Sequence, residues 1–483
     1  MKYILTGFQL QYAEEIIKQL TDLYPEFACK SVFYIPTKES DNGHKSLNGI
    51  SYYDRNKMRN AEGICSEELF NFNVEEYMPY YHYYNSLLDR QISGPLSGNV
   101  SYRMFLSLIS FFNRLLYEQD VDFIISREIP HFGTEFVLYL VAKQRGVKIV
   151  MFDFVEHLNR TLPIFDIFDR EIENKVSGDF LDESQAVLAK LSRNFDEVQD
   201  STAAPSFDTY ERKWSLLSWC KYIARDSYYL IKSNPLSVDM TSLAKYTSHG
   251  LQPFRRYEVA YYFFRLRLKS YSLEKYYNSL VSDVKELDMS NAIVFFSHYQ
   301  PERTTNPDGG LYYDIIYAIK KLKSKLPPNT TIIYKEHPHI FSPTYLRVFR
   351  GSLLRDECFY KQLLDLGVKF VSPYENNDVL FRNSQMISSV TGTVLLEAVA
   401  KGTEAIMFGN SWHVNLSGLK HLDFVEKIGF SKISSAVDEN LISELDIVYR
   451  HSIPRVGLFY KNDKTTESEV ASLISMLRQQ RFI

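Results

Sequence analysis

Short apolar runs that stop at polar tips constrain this chain more than any other feature. Residues 331–334 suit a buried strand and end at Lys335-Glu336-His337-Pro338. Residues 386–388 suit another and lead into Ser388-Ser389-Val390-Thr391-Gly392-Thr393, with Glu397 beyond. In an open α/β sheet, ligands bind outside the carboxyl ends of the strands. Both tips are therefore expected at the ends of neighbouring strands on one edge of a sheet. They bring an imidazole, small hydroxyls and a helix N-terminus together, which are the parts needed to hold a phosphate.

Further strand-like runs surround these two. Residues 292–297, 368–371 and 405–408 complete a parallel set, with helices predicted over 311–326 and 393–401. In the first half, residues 3–6 and 31–35 flank a helical pattern at Tyr12, Ile16, Ile17 and Leu20. Residues 121–126, 134–144 and 147–152 read as strand, helix and strand, a βαβ unit closed by Gly146. Residues 39–62 and 196–209 are polar and turn-rich, as loops or linkers are. The stretch 210–280 is helical in pattern and dense in Tyr, Phe, Arg and Lys, and residues 467–481 form an amphipathic helix.

Size and composition set the frame. At 483 residues the chain exceeds one ordinary core and suits two domains. The boundaries implied are a first domain over 1–280, with a helical aromatic-basic insertion at about 210–280, a second over 281–460, and a helix over 461–483 that crosses back. A formal net charge of -4 does not suit a nucleic-acid coat. Cys29, Cys65, Cys220 and Cys358 lie far apart without a CxxC, which argues against zinc or a disulfide framework and fits a reducing, cytoplasmic setting. The apolar start of the chain is too short for a signal peptide, and no run is long enough to span a bilayer. The aromatic content is 35 Tyr and 33 Phe against 3 Trp, and many of these rings lie among the basic residues of 210–280. That stretch is either packing between domains or a platform for the inner face of a membrane.

Each motif has a functional and a plain reading. Gly392 lets a strand-to-helix turn tighten and a ligand approach. Ser388, Ser389, Thr391 and Thr393 supply hydroxyls. Glu397 stands four residues after Thr393 on an otherwise apolar turn, where a carboxylate suits a ribose diol. A strand-to-helix turn with an exposed glutamate gives the same pattern. His337 is placed at a strand tip by Pro338, and flanking Lys335 and Glu336 are expected to hold a cationic imidazole against a phosphate. The loop His298-Tyr299-Gln300-Pro301-Glu302-Arg303-Thr304-Thr305 opens on the same edge. Gln300 and Glu302 suit sugar hydroxyls, and Arg303 suits a carboxylate; a decorated loop looks the same. In the first half, Arg127-Glu128-Ile129-Pro130-His131-Phe132-Gly133 follows a strand, and Glu128 or His131 is a candidate general base. Asp120-Val121-Asp122 matches DxD but precedes its strand, as a solvated entrance does. GxGxxG, GxxxxGK[ST] and HExxH are absent.

Gln300-Pro301-Glu302, Lys335-Glu336-His337-Pro338, Ser388-Ser389, Thr391-Gly392-Thr393 and Glu397 resemble the bacterial capsule polysaccharide biosynthesis family, which includes Kdo transferases. The His-Pro pair and the Ser/Thr cluster also look like those of bacterial sialyltransferases. The resemblance covers residues 292–410 well and the first half poorly. It implies a GT-B fold, with two Rossmann-like domains facing a cleft, and a CMP-activated 2-keto acid sugar of Kdo, sialic or pseudaminic type. It implies metal-independent transfer to a bacterial surface glycan or lipid-linked acceptor, at the inner face of the membrane. The acidic-acidic-Gly base motif of the sialyltransferases has no counterpart here. A CDP-glycerol phosphotransferase of teichoic acid synthesis shares similar tips, and a non-catalytic capsule-assembly partner is the reading from another class.

Overall fold

One parallel and one mainly parallel sheet form because the short apolar runs are buried on both faces. The computed structural model describes residues 2–8, 10–23, 32–35, 50–52, 72–88, 98–130, 132–155, 158–170, 180–192, 219–224, 244–247, 250–253, 256–300, 302–341, 354–429, 439–454, 467–479 and 482–483. The first sheet is built from β1 (Tyr3–Thr6), β2 (Val32–Ile35), β3 (Ile50–Tyr52), β4 (Phe123–Ser126), β5 (Lys148–Val155) and β6 (Arg160–Ile164). Its helices are α1 (Leu10–Leu23), α2 (Tyr81–Leu88), α3 (Gly98–Gln119), α4 (Gly133–Gln144) and α5 (Leu181–Ser192). A hairpin, β7 (Ala244–Thr247) and β8 (Gly250–Pro253), then precedes α6 (Arg256–Asn278).

The second sheet contains β9 (Ala292–Phe296), β10 (Thr331–Lys335), β11 (Lys369–Val371), β12 (Met386–Ser389), β13 (Ala405–Met407) and β14 (Leu419–His421). Its helices are α7 (Ile315–Lys325), α8 (Glu357–Asp365), α9 (Asn377–Asn383) and α10 (Val394–Ala400). Asp314, Asp356 and Asn376 cap α7, α8 and α9 by accepting backbone N–H groups at 2.7–3.1 Å. The chain then returns to the first sheet through α11 (Glu439–Arg450), β15 (Ile453–Pro454) and α12 (Glu467–Gln479).

Strand order in the second sheet is β11-β10-β9-β12-β13-β14, all parallel. Counted within the domain this is 3-2-1-4-5-6, the Rossmann order. The first sheet runs β15-β6-β5-β4-β1-β2-β3, with β3 to β5 parallel in the same 3-2-1-4-5 sense and β6 and β15 antiparallel at one edge. Strand alternation divides the cores. Ala292, Val294 and Phe296 enter a large cluster shared with the first domain, while Ile293 and Phe295 enter one with α6, α7 and α8. A third cluster joins β1 and α1 to Val470, Leu473, Ile474 and Leu477 of α12.

Two boundaries differ from those read in the sequence. The end of α6 docks on the second sheet: Tyr277 is fully buried, and its hydroxyl donates to Val371 O at 2.8 Å. The final third of the 210–280 stretch therefore belongs with the second domain, and residues 244–247 and 250–253 are paired antiparallel strands, which Tyr246 and Thr247 favour. β15 already pairs with β6, so the return to the first sheet precedes residue 460.

Leu473 and Leu477 are fully buried against the first sheet. Leu473→Ala is expected to lose about 2–5 kcal/mol of stability in urea unfolding. A loss below about 1 kcal/mol would show that α12 is peripheral.

Candidate functional site

The topological switch of the second sheet lies between β9 and β12, and His298 fills it. His298 is 6% exposed. The backbone N–H of Thr391 donates to its Nε2 at 2.8 Å, and Ser389 Oγ lies 3.1 Å from the same nitrogen. With its Nε2 lone pair engaged, the neutral ring carries its proton on Nδ1, which has no hydrogen-bond partner among the described residues. Burial, then the Arg355 charge, lowers the pKa of His298 to about 4. Gly392 is required here because a Cβ would sit 2.9 Å from Ser389 Oγ and 3.3 Å from His298 Cε1.

His337 follows β10 on the same edge of the sheet. β10 and β12 are separated by β9, so the two tips are not on adjacent strands as expected. His337 Nδ1 accepts the N–H of His339 at 3.2 Å, and Pro338 opens the short 3-10 turn Pro338–Ile340. Its neutral tautomer therefore carries the proton on Nε2. Burial, then His339, His298, Lys335 and Arg355, holds its pKa well below the ordinary value. The expected cationic imidazole is thus a neutral one. Tyr299 packs its ring 5.7 Å from that of His337.

Glu336 does not flank the imidazole in the manner expected. Alternation puts it on the face of Tyr334, fully buried. Its carboxylate accepts from Tyr334 Oη, Tyr360 Oη and Arg355 Nε, each at 2.9 Å. Lys335 is buried on the opposite face, where its Nζ donates to Glu375 O at 2.7 Å and to the Asn377 side chain. Burial lowers the Lys335 pKa to about 7 against the charges of Glu375 and Glu397. Burial raises the Glu397 pKa, opposed by Lys401 and Lys335.

Most of the hydroxyls predicted for phosphate are committed elsewhere. Ser388 Oγ donates to Val294 O at 3.3 Å and Ser389 Oγ to Phe296 O at 2.8 Å, both across to β9. Thr391 Oγ1 donates to Thr304 O. Thr393 is exposed, and its side chain makes no cap bond. α10 has only seven residues, too short to contribute a sizeable dipole. Gln300 is also used up: it accepts from Arg355 Nη1 and donates to Tyr313 O, both at 2.7 Å. Glu302 stays half-buried near Thr304 Oγ1 at 3.4 Å.

Arg303 faces the first domain. Its Nη1 donates to Asp153 Oδ1 at 2.5 Å, and its Nε lies 4.0 Å from Asp308. Burial opposes its charge, but Asp153 and Asp308 outweigh burial, with Glu128 adding to them, and the pKa is raised. Arg303 is therefore a domain-bridging cation rather than a free receiver of a carboxylate, and Glu128 lies near enough to favour its charge. His131 and Pro301 lie outside the described residues. Asp122 of the DxD accepts the backbone N–H of Lys2 at 2.7 Å. Among the described residues, no group of three or more His, Cys, Asp or Glu is placed to hold a metal, and no described helix is long and apolar enough to cross a membrane.

Sequence reasoning missed the roles of His298, Arg355, Asp153, Arg170 and Asp308. Only His298 carried a usable signal, since it directly follows a strand at the same edge as the other tips.

No protein-family model matches the chain, and no curated protein matches it in sequence. Solved structures match over most of its length. A KpsC beta-Kdo 2,7 transferase from Thermosulfurimonas dismutans has 11% identity over 85% of this chain and 99% of its own, at a TM-score of 0.31. A UDP-GlcNAc 2-epimerase from Methanocaldococcus jannaschii has 11% identity over 99% of both chains, at 0.20. A glycosyltransferase from Rickettsia africae has 13% identity over 100% of this chain and 97% of its own, at 0.21. The superpositions are loose at these scores. The fold is read from the strand pairing of this chain: two Rossmann-like domains that meet at a cleft, the GT-B architecture.

The state of His298 sets a pH dependence. The folded ring stays neutral down to about pH 4, whereas the unfolded one titrates near 6.5. As pH falls through that window the unfolded chain binds the proton first, so stability decreases with acid, by up to about 3 kcal/mol from this residue. Urea unfolding at a series of pH values is expected to show the slope, and His298→Gln to flatten it. An unchanged slope in the variant would assign the proton uptake elsewhere.

Proposed function

We propose that this chain is a glycosyltransferase that uses a CMP-activated 2-keto acid sugar of the Kdo, sialic or pseudaminic type. One observation carries the reading. Two neutral imidazoles, His298 Nδ1–H and His337 Nε2–H, sit as hydrogen-bond donors at the ends of adjacent strands β9 and β10, beside the switch point. A single phosphate can be held by such donors, with Thr393 and the backbone at Gly392 completing the cradle. Glu397 would take the ribose diol next to Lys335.

In the reaction an acceptor hydroxyl oxygen attacks the anomeric carbon. The bond from that carbon to the phosphate oxygen breaks, and CMP leaves with the electron pair. The hydroxyl proton passes to Glu128, a carboxylate of the first domain near Arg303. The acceptor would be a bacterial surface glycan or its lipid-linked precursor, met at the inner face of the membrane.

Thermal-shift measurements with CMP, CDP, UDP and GDP test the donor. CMP is expected to raise the melting temperature most, and His337→Ala to remove that rise and lower transfer by about 100-fold or more without changing the unliganded melting temperature. Stabilisation by CDP alone would move the reading to a glycerophosphotransferase. No response to any nucleotide would leave the capsule-assembly partner. Full transfer by His337→Ala would refute the role of His337.

A further inference from the structure

Four charged side chains close a ring between the domains. Asp153 and Arg170 come from the first domain, Arg303 and Asp308 from the second. Arg170 Nη2 lies 2.5 Å from Asp308 Oδ1, and Arg303 Nη1 lies 2.5 Å from Asp153 Oδ1. These are the crossed pairs. The pairs within each domain are also present but slack: Arg170 to Asp153 at 3.4 Å and Arg303 to Asp308 at 4.0 Å. The side chains of Asp153, Arg170 and Asp308 are at most 1% exposed, and Arg303 is 25% exposed.

We propose that this ring is a partner-exchange latch that lets the cleft open without stranding a charge. Each domain holds one cation and one anion, so each is neutral at this surface by itself. When the domains part, the crossed pairs break and the standby pairs tighten. Parting also separates the two carboxylates and the two guanidiniums that face each other diagonally. A buried ion pair with no alternative partner leaves two uncompensated charges when broken, which is strongly unfavourable. Exchange avoids that state and gives the interface two discrete arrangements. The latch sits in the loop that follows His298, because Arg303 and Asp308 belong to the same connection from β9 to α7. The packing of α5 on α10 is an apolar attachment between the domains and serves as the pivot.

Removing one crossed pair separates exchange from simple bridging. In Asp153→Asn with Arg303→Gln, the crossed pair of Arg170 and Asp308 survives, but both of its standby partners are gone. Opening would then strand Arg170 and Asp308. The open population is therefore expected to fall by about tenfold or more. If the ring only bridges the domains, losing one bridge raises the open population instead.

The readout is single-molecule energy transfer between dyes on Glu118→Cys and Lys320→Cys, both exposed and on different domains, in a chain whose four cysteines are replaced. An open population equal to or above that of the parent overturns the latch, as does a parent that shows one distance only. Should that variant not fold, Arg170→Gln with Asp308→Asn makes the same prediction for the pair of Arg303 and Asp153. No nucleotide enters the measurement, so its outcome is independent of the donor reading.

Discussion

The buried pair of Glu336 and Arg355 holds the site together. Arg355 reaches three residues on two strand tips: Glu336 Oε2 at 2.9 Å after β10, and Gln300 Oε1 at 2.7 Å and Ser297 Oγ at 3.1 Å after β9. Glu336 in turn accepts the N–H of His337 at 2.8 Å. The tips of β9 and β10 are thereby fixed relative to each other, and so are His298 and His337. Burial opposes the charge of Arg355, but Glu336 outweighs it and the pKa is raised. Replacing either partner alone would strand a buried charge, the situation in which such pairs matter most.

Much of the sheet was legible because its signal is local. Apolar runs such as Ile332 to Tyr334 and Met386 to Ile387 must be buried wherever they go, and buried short runs become strands. The use of the hydroxyls was not legible. Ser388 and Ser389 look alike in sequence whether they face a ligand or a carbonyl of β9, and only strand order decides. Glu336 was closer to readable: it shares a face with Tyr334 by alternation, and a buried tyrosine face is a poor place for a solvent-facing anion holder. Asp153 and Arg303, and likewise Arg170 and Asp308, lie too far apart in the chain for any spacing rule to pair them.

The two domains are held by unlike interactions. α5 packs on α10 and α11, and the largest apolar cluster runs from Val187 and Leu188 through Leu395 and Val399. That contact is non-directional and tolerates small rotations. The charge ring and Asn306, whose amide donates to Ser86 Oγ at 2.5 Å, are directional. An apolar pivot with a polar latch is the combination that permits rotation between defined end states.

Neutral imidazoles suit the leaving group of the proposed reaction better than fixed cations would. A fixed cation binds the phosphate of the donor nearly as strongly before reaction as after, which stabilises ground and transition states alike. As the bond to the anomeric carbon breaks, negative charge grows on the phosphate oxygens. That charge favours protonation of a nearby imidazole, so its pKa climbs as the reaction proceeds. The low pKa of His298, set by burial beside Arg355, keeps the resting ring a weak partner. In the proposed reaction, hydrogen bonds from Nδ1 of His298 and Nε2 of His337 would therefore strengthen most where the charge develops, which is the condition for accelerating departure rather than merely holding CMP.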